Sequence, residues 1–137
     1  MTLTPEVRSF LEDVRFAVLA THHSNNRIHQ SVMWYELRGD TIMMNTVAGR
    51  VKSRNLRKYP QVSVCWEDDY SYVAIQGEVI EIIDDHETAV ADIQNLARRY
   101  HSDKSEEELA PQLDNFATQQ RETVLISIDH VFTKDLG

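Results

Sequence analysis

Apolar positions change period several times along the chain, and each change marks an element. Val7, Phe10, Leu11 and Val14 recur at helical spacing behind Thr4 and Pro5. An N-cap followed by proline at the first helical position predicts a short amphipathic helix over 5–13. Phe16 to Ala20 is a continuous apolar run, which predicts a strand buried on both faces. Residues 22–26 are polar and turn-like, 27–37 read as a second strand, Arg38-Gly39-Asp40 as a hairpin turn, and 41–46 as a third strand. A basic helix follows and ends at Pro60. Val62, Val64 and Trp66 then alternate with Gln61, Ser63 and Cys65, the pattern of a half-buried strand.

After a turn at 67–69, residues 70–83 form one long strand. Its apolar phase switches between Ile75 and Ile80, so a bulge or sharp bend is expected at Gly77. Asp84 or Asp85 caps a helix whose stripe of Ala89, Val90, Ile93, Leu96, Ala97 and Tyr100 runs to about residue 101. Ser105 and Glu108 form a capping-box pattern for another helical segment, and Pro111 inside it leaves room for two short pieces. Residues 123–132 alternate as a last strand. Six strands with mostly short connections predict a mainly β (α+β) chain: a six-stranded antiparallel barrel with flanking helices, not a doubly wound sheet. The 137 residues are expected to form one domain, 1–137.

Charge alters this picture at one place. The chain has 14 Lys and Arg against 22 Asp and Glu, a net charge of −8. That balance argues against nucleic-acid binding. Yet five of the basic residues, Arg50, Lys52, Arg54, Arg57 and Lys58, fall within Gly49–Pro60. At 100° per residue, Arg50, Arg54, Arg57 and Lys58 share one helical face, whereas Lys52 lies on the side of Leu56 and Tyr59. The face could be merely solvated. As a functional site it reads as an anion site: Gly49 permits close backbone approach, a helix start offers free N–H groups, and Arg50 and Lys52 add charge. Arg54, Arg57 and Lys58 are expected to face outward. Neither GxxxxGK[ST] nor GxGxxG is present.

Other chemistry is sparse. The six histidines show no HExxH pattern or zinc spacing, so no metal is expected. Cys65, the only cysteine, reads as a buried structural thiol; it leaves no intrachain disulfide and suits a reducing cytoplasm. No signal peptide and no run long enough to span a membrane are expected.

The strings FAVLAT, RIHQSVMWY, GDTIMMNT, GRVKSRNLRKYPQVSVCW, YSYVAIQGEVIEI and VLISIDHVF together resemble the pyridoxamine-phosphate-oxidase-like split β-barrel flavoproteins, over about residues 14–84 and the last strand. Within that superfamily the chain looks most like the branch using the deazaflavin coenzyme F-420. The resemblance implies a homodimeric oxidoreductase (reductase) with cofactor sites at the dimer interface, acting on a small unsaturated substrate. FMN is the alternative cofactor, and a non-catalytic flavin- or deazaflavin-binding protein the alternative role. It implies phosphate binding at the third-strand-to-helix junction, by Asn45, Thr46, Gly49, Arg50 and Lys52, with Asn55 further along the helix. Ser31, Val32 and Met33 would line the ring, and Trp66, Tyr70 or Tyr72, with Tyr72 the choice, would come from the partner. No catalytic residue is implied, since the cofactor carries the reaction. True pyridoxamine phosphate oxidases carry a further C-terminal segment with a substrate-binding arginine and histidine, so vitamin B6 oxidation is not expected.

If the helical phase is right, Lys52→Ala weakens cofactor binding more than Arg57→Ala in an equilibrium titration of the folded variants; the reverse order refutes the phase.

Overall fold

A computed structural model describes residues 2–136. Helix α1 (Pro5–Glu12) is capped by the Thr4 hydroxyl and buries Val7, Phe10 and Leu11, each contributing about 1.5–3 kcal/mol by removal from water. Strands β1 (Ala17–His23), β2 (Arg27–Met33), β3 (Glu36–Arg38) and β4 (Thr41–Val47) precede helix α2 (Val51–Lys58). Then come β5 (Gln61–Asp68), β6 (Ser71–Ile83), helices α3 (His86–Tyr100) and α4 (Glu106–Ala117), and strands β7 (Arg121–Ser127) and β8 (His130–Lys134). Among the described residues, no helix is long and apolar enough to cross a membrane.

Every strand pairing is antiparallel. The path runs β2-β1-β5-β6-β7-β4-β3, with β8 also on β6. The expected mainly β (α+β), antiparallel architecture holds, but among the described residues the expected six-stranded barrel is an eight-stranded sheet that does not close, since β2 and β3 end the path. Two of the predicted strands are each broken in two, for identifiable reasons. The run 27–37 breaks at Trp34-Tyr35 because Tyr35 turns inward: its ring is fully buried and its hydroxyl meets the carbonyls of Leu11 and Asp13 at 2.8 and 2.9 Å. Its backbone N–H donates to the Tyr100 hydroxyl at 3.1 Å instead of to a strand. The run 123–132 breaks at Ile128-Asp129, where the Asp129 N–H donates to the Gln76 carbonyl at 2.9 Å.

That second break lies opposite Gly77. Strand β6 pairs with β8 through Tyr72–Gln76 and with β7 through Val79–Ile83. The bulge expected at Gly77 instead falls between Val79 and Glu81. What Gly77 provides is clearance, because a Cβ there would lie 1.8 Å from the Ser127 carbonyl oxygen.

Further expectations change for reasons of burial. β1 alternates in exposure rather than being buried on both faces: Ala17, Leu19 and Thr21 point into the core and Val18 and His22 outward, as in an antiparallel sheet with one face on the core. Cys65 is exposed, not buried: Val62, Val64 and Trp66 take the inward phase of β5 and leave Cys65 outside. Asp85, not Asp84, caps α3, accepting from the Thr88 N–H at 3.0 Å. α4 runs unbroken through Pro111, whose missing N–H falls on the exposed face, where water can serve the orphaned carbonyl. The core has two parts, one inside the sheet under α1 and one where Met43 packs on Ile93, Leu96, Leu109, Leu113 and Phe116 of α3 and α4.

Arg57 does not point freely outward as its helical phase suggested. It reaches Glu122 of β7, with N···O distances of 2.8 and 2.7 Å to the two carboxylate oxygens, and Ser53 donates to the same carboxylate. Glu122 is fully buried, so α2 is tied to β7 by a charge that has left water. Arg57→Ala should cost roughly 2 kcal/mol in urea unfolding, below the ~3–5 kcal/mol of a fully buried pair because its side chain is 45% exposed. Gly77→Ala should cost roughly 2–3 kcal/mol for the backbone overlap. Unchanged midpoints would refute these readings.

Candidate functional site

The turn from β4 to α2 is built by three residues. The Ala48 N–H is tied to the Gln120 carbonyl at 2.8 Å. Gly49 takes φ +83, the left-handed region where only glycine is unstrained. Arg50 is the N-cap of α2 in extended conformation, and no side chain caps the helix. The first-turn N–H groups of α2 therefore have no side-chain acceptor, and the helix dipole adds partial positive charge at the same spot.

Beside this turn lies a cavity of about 340 Å³. It is lined by the polar side chains of Asn45, Thr46, Arg50, Lys52, Gln112 and Arg121 and by the apolar ones of Val32, Met33, Trp34, Val47, Ile93, Leu96 and Phe116. Trp34 is stacked on Tyr100 with ring centroids 5.2 Å apart and planes 14° from parallel, and His101 meets its edge. The Arg121 guanidinium lies 5.3 Å from the Phe116 ring centre.

The basic side chains of the lining perturb one another. Lys52 is half-buried and its Nζ approaches the Met33 sulfur at 2.8 Å. Burial, then Arg121 and Arg50, hold its pKa below the ordinary lysine value. Burial and then Arg50 bring Arg121 down to about 10. Among the described residues, no carboxylate comes within 4.0 Å of Arg50, Lys52 or Arg121. Three cations pressed together without a counterion fit a phosphate, which would supply the missing negative charge and accept from the free helix N–H groups.

The structure thus gathers Val32, Met33, Asn45, Thr46, Arg50 and Lys52 around one cavity, with Gly49 in the adjoining turn. Three other candidate residues lie elsewhere. Ser31 alternates away from Val32, and its hydroxyl is buried without a partner. Asn55 is buried beneath α2, its Oδ1 3.2 Å from His23 Nδ1 and its Nδ2 without a partner. Tyr72 sits on β6 opposite Glu67 and Lys134, away from the cavity of its own chain. Sequence reasoning missed Arg121, Gln112 and Phe116. Arg121 reaches the site because β7 pairs with β4, placing it opposite Val47, a non-local register that no local spacing encodes.

The pyridoxamine 5'-phosphate oxidase family model matches residues 3–131. The chain belongs to this family. Members of the pyridoxamine 5'-phosphate oxidase family include oxidoreductases and bind flavins such as FMN. Solved structures of similar fold include an F-420 reductase (TM-score 0.76, 23% identity, covering 91% of this chain and 94% of that one). A conserved hypothetical protein from Mycobacterium tuberculosis matches with TM-score 0.78 at 25% identity, covering 99% of this chain and 86% of that one. The haem storage protein HutZ from Vibrio cholerae matches with TM-score 0.69 at 18% identity, covering 100% and 98%. No curated protein matches the sequence.

A pH dependence follows from the cations. Lys52 and Arg121 have lowered pKa values, so each loses its proton at lower pH than in water. Affinity for inorganic phosphate should be intact at neutral pH and fall as pH is raised toward 10, read by calorimetric titration. Constant affinity across that range would show that these groups do not bind the anion.

Proposed function

We propose that the protein is an oxidoreductase that binds the deazaflavin coenzyme F-420 in this cavity and passes a hydride to a small unsaturated substrate. FMN is the alternative cofactor. The observation that carries the proposal is the group of Arg50, Lys52 and Arg121, without a carboxylate, at an uncapped helix start beside an apolar wall. These three cations would hold the cofactor phosphate. Val32, Met33 and Trp34 would flank the ring, and Ile93, Leu96 and Phe116 would exclude water from it. When bound, the cofactor supplies the hydride chemistry, so the protein needs no nucleophile of its own.

The proposal includes a homodimer. Val32, Val18, Cys65, Ala74 and Phe132 stand in register across β2, β1, β5, β6 and β8. Val32 is 67%, Val18 36% and Phe132 52% exposed. This apolar row across one sheet face is of the kind a second copy covers, and it reaches the cavity through Val32. In that arrangement Tyr72, near the end of the same face, would serve the partner's site. The protein is proposed to act in the cytoplasm.

The test is a titration with coenzyme F-420, and separately with FMN, followed by ring fluorescence. Binding of F-420 at tens of micromolar or tighter supports the first reading, whereas binding of FMN alone selects the alternative. Binding without turnover of enones, quinones or tetrapyrroles would make the protein a cofactor binder. Failure to bind either cofactor would overturn the proposal.

A further inference from the structure

We propose that Arg121 is a third ligand-binding cation of the cavity, and that Asn45 acts on the ligand only by aiming Arg121. The inference rests on the phosphate reading given above. Asn45 lines the cavity and has two amide hydrogens and a carbonyl oxygen to offer. Both hydrogens are already committed, one to the Ala89 carbonyl at 2.9 Å and one to the Thr123 hydroxyl oxygen at 3.2 Å. Its oxygen accepts from Arg121 Nε at 2.9 Å. Asn45 therefore has no donor left for an anion, and its remaining lone pair would repel one.

The amide orientation is fixed from behind. The Thr123 hydroxyl donates to Asp92 Oδ2 at 2.7 Å, so its oxygen is free only to accept from Asn45. Arg38 holds the other Asp92 oxygen at 2.7 Å. A flipped Asn45 amide would set oxygen against the Ala89 carbonyl and N–H against Arg121 Nε. Asn45, Thr123 and Asp92 are 5%, 0% and 7% exposed, so each polar group there must be satisfied within the protein. The chain of bonds from Arg38 through Asp92, Thr123 and Asn45 thus fixes one edge of the Arg121 guanidinium.

The other groups of Arg121 are available. One N–H of Nη1 donates to Gln119 Oε1 at 2.9 Å. Of the five guanidinium N–H groups, Nε–H and that one are used, which leaves three for the cavity. A half-buried arginine with no acidic partner is costly unless something else supplies the charge. Here Asp92 is spent on Arg38 and Glu122 on Arg57, so the counterion must come with the ligand.

The experiment titrates inorganic phosphate, FMN and coenzyme F-420 into the full chain and into Arg121→Gln, Asn45→Ala, the double variant and Thr123→Val. Arg121→Gln should weaken binding roughly tenfold, the worth of one charge-assisted contact. Asn45→Ala should lose about as much, and the double variant no more than Arg121→Gln alone. Thr123→Val should weaken binding several-fold although Thr123 does not line the cavity. Thermal melting of each variant sets the temperature at which all are folded. Losses that multiply in the double variant would mean that Asn45 touches the ligand, and would overturn its aiming role. Variants that melt earlier but bind like the wild type when folded would make the network purely structural. A wild-type protein that binds none of the three probes would overturn the phosphate reading itself, and the role of Arg121 with it.

Discussion

Thirteen residues of β6 have to hold two half-sheets together. The first half of the strand belongs with β5 and β8, the second with β7 and, through it, β4 and β3. The change of partner works only if the end of β7 can pass close over the strand at Gly77, and a single methyl group there would collide with the Ser127 carbonyl. Because β4 is reached only through β7, this clearance also decides where the β4–α2 turn and Arg121 together lie relative to Val32 and Met33 of β2, which line the same cavity. The cavity is a by-product of that crossing.

Around the cavity, the two buried acids of the described residues are both spent on bases that do not line it. Glu122 is satisfied by Arg57 and Ser53 on the α2 side, and Asp92 by Arg38 and Thr123 on the α3 side. Desolvated charge is expensive unless paired, so each acid has recruited a partner. Arg50, Lys52 and Arg121 have not. An acidic chain that withholds its carboxylates from three clustered cations has the electrostatic form of a receptor for an anion.

Much of this was legible in the sequence because it is local. The caps at Thr4 and Ser105, the alternation of β5 and the phase that sets Lys52 apart from the outer face of α2 are all fixed by neighbours within a few residues. What escaped was non-local. Tyr35 ends β2 because the Tyr100 hydroxyl, far along the chain, takes its N–H. Arg57 looked solvated because nothing near it in sequence revealed Glu122. Arg121 was passed over because its place beside Arg50 depends on the β4–β7 register. Ser31, Asn55 and Tyr72, which the family resemblance selected, do not converge with the others within one chain.

The shared strand also orders events in time. β5 and β6 are adjacent hairpin strands, whereas α3 and α4 lie between β6 and its other neighbour, β7. Loop closure over that separation makes the second pairing the slower one. Arg121 and Glu122 both sit at the start of β7, so the third cation of the cavity and the clasp on α2 come into place together when β7 docks. A partly folded chain would carry the basic segment without its receptor, and any ligand that fits the cavity would select the completed fold and pull the folding equilibrium toward it.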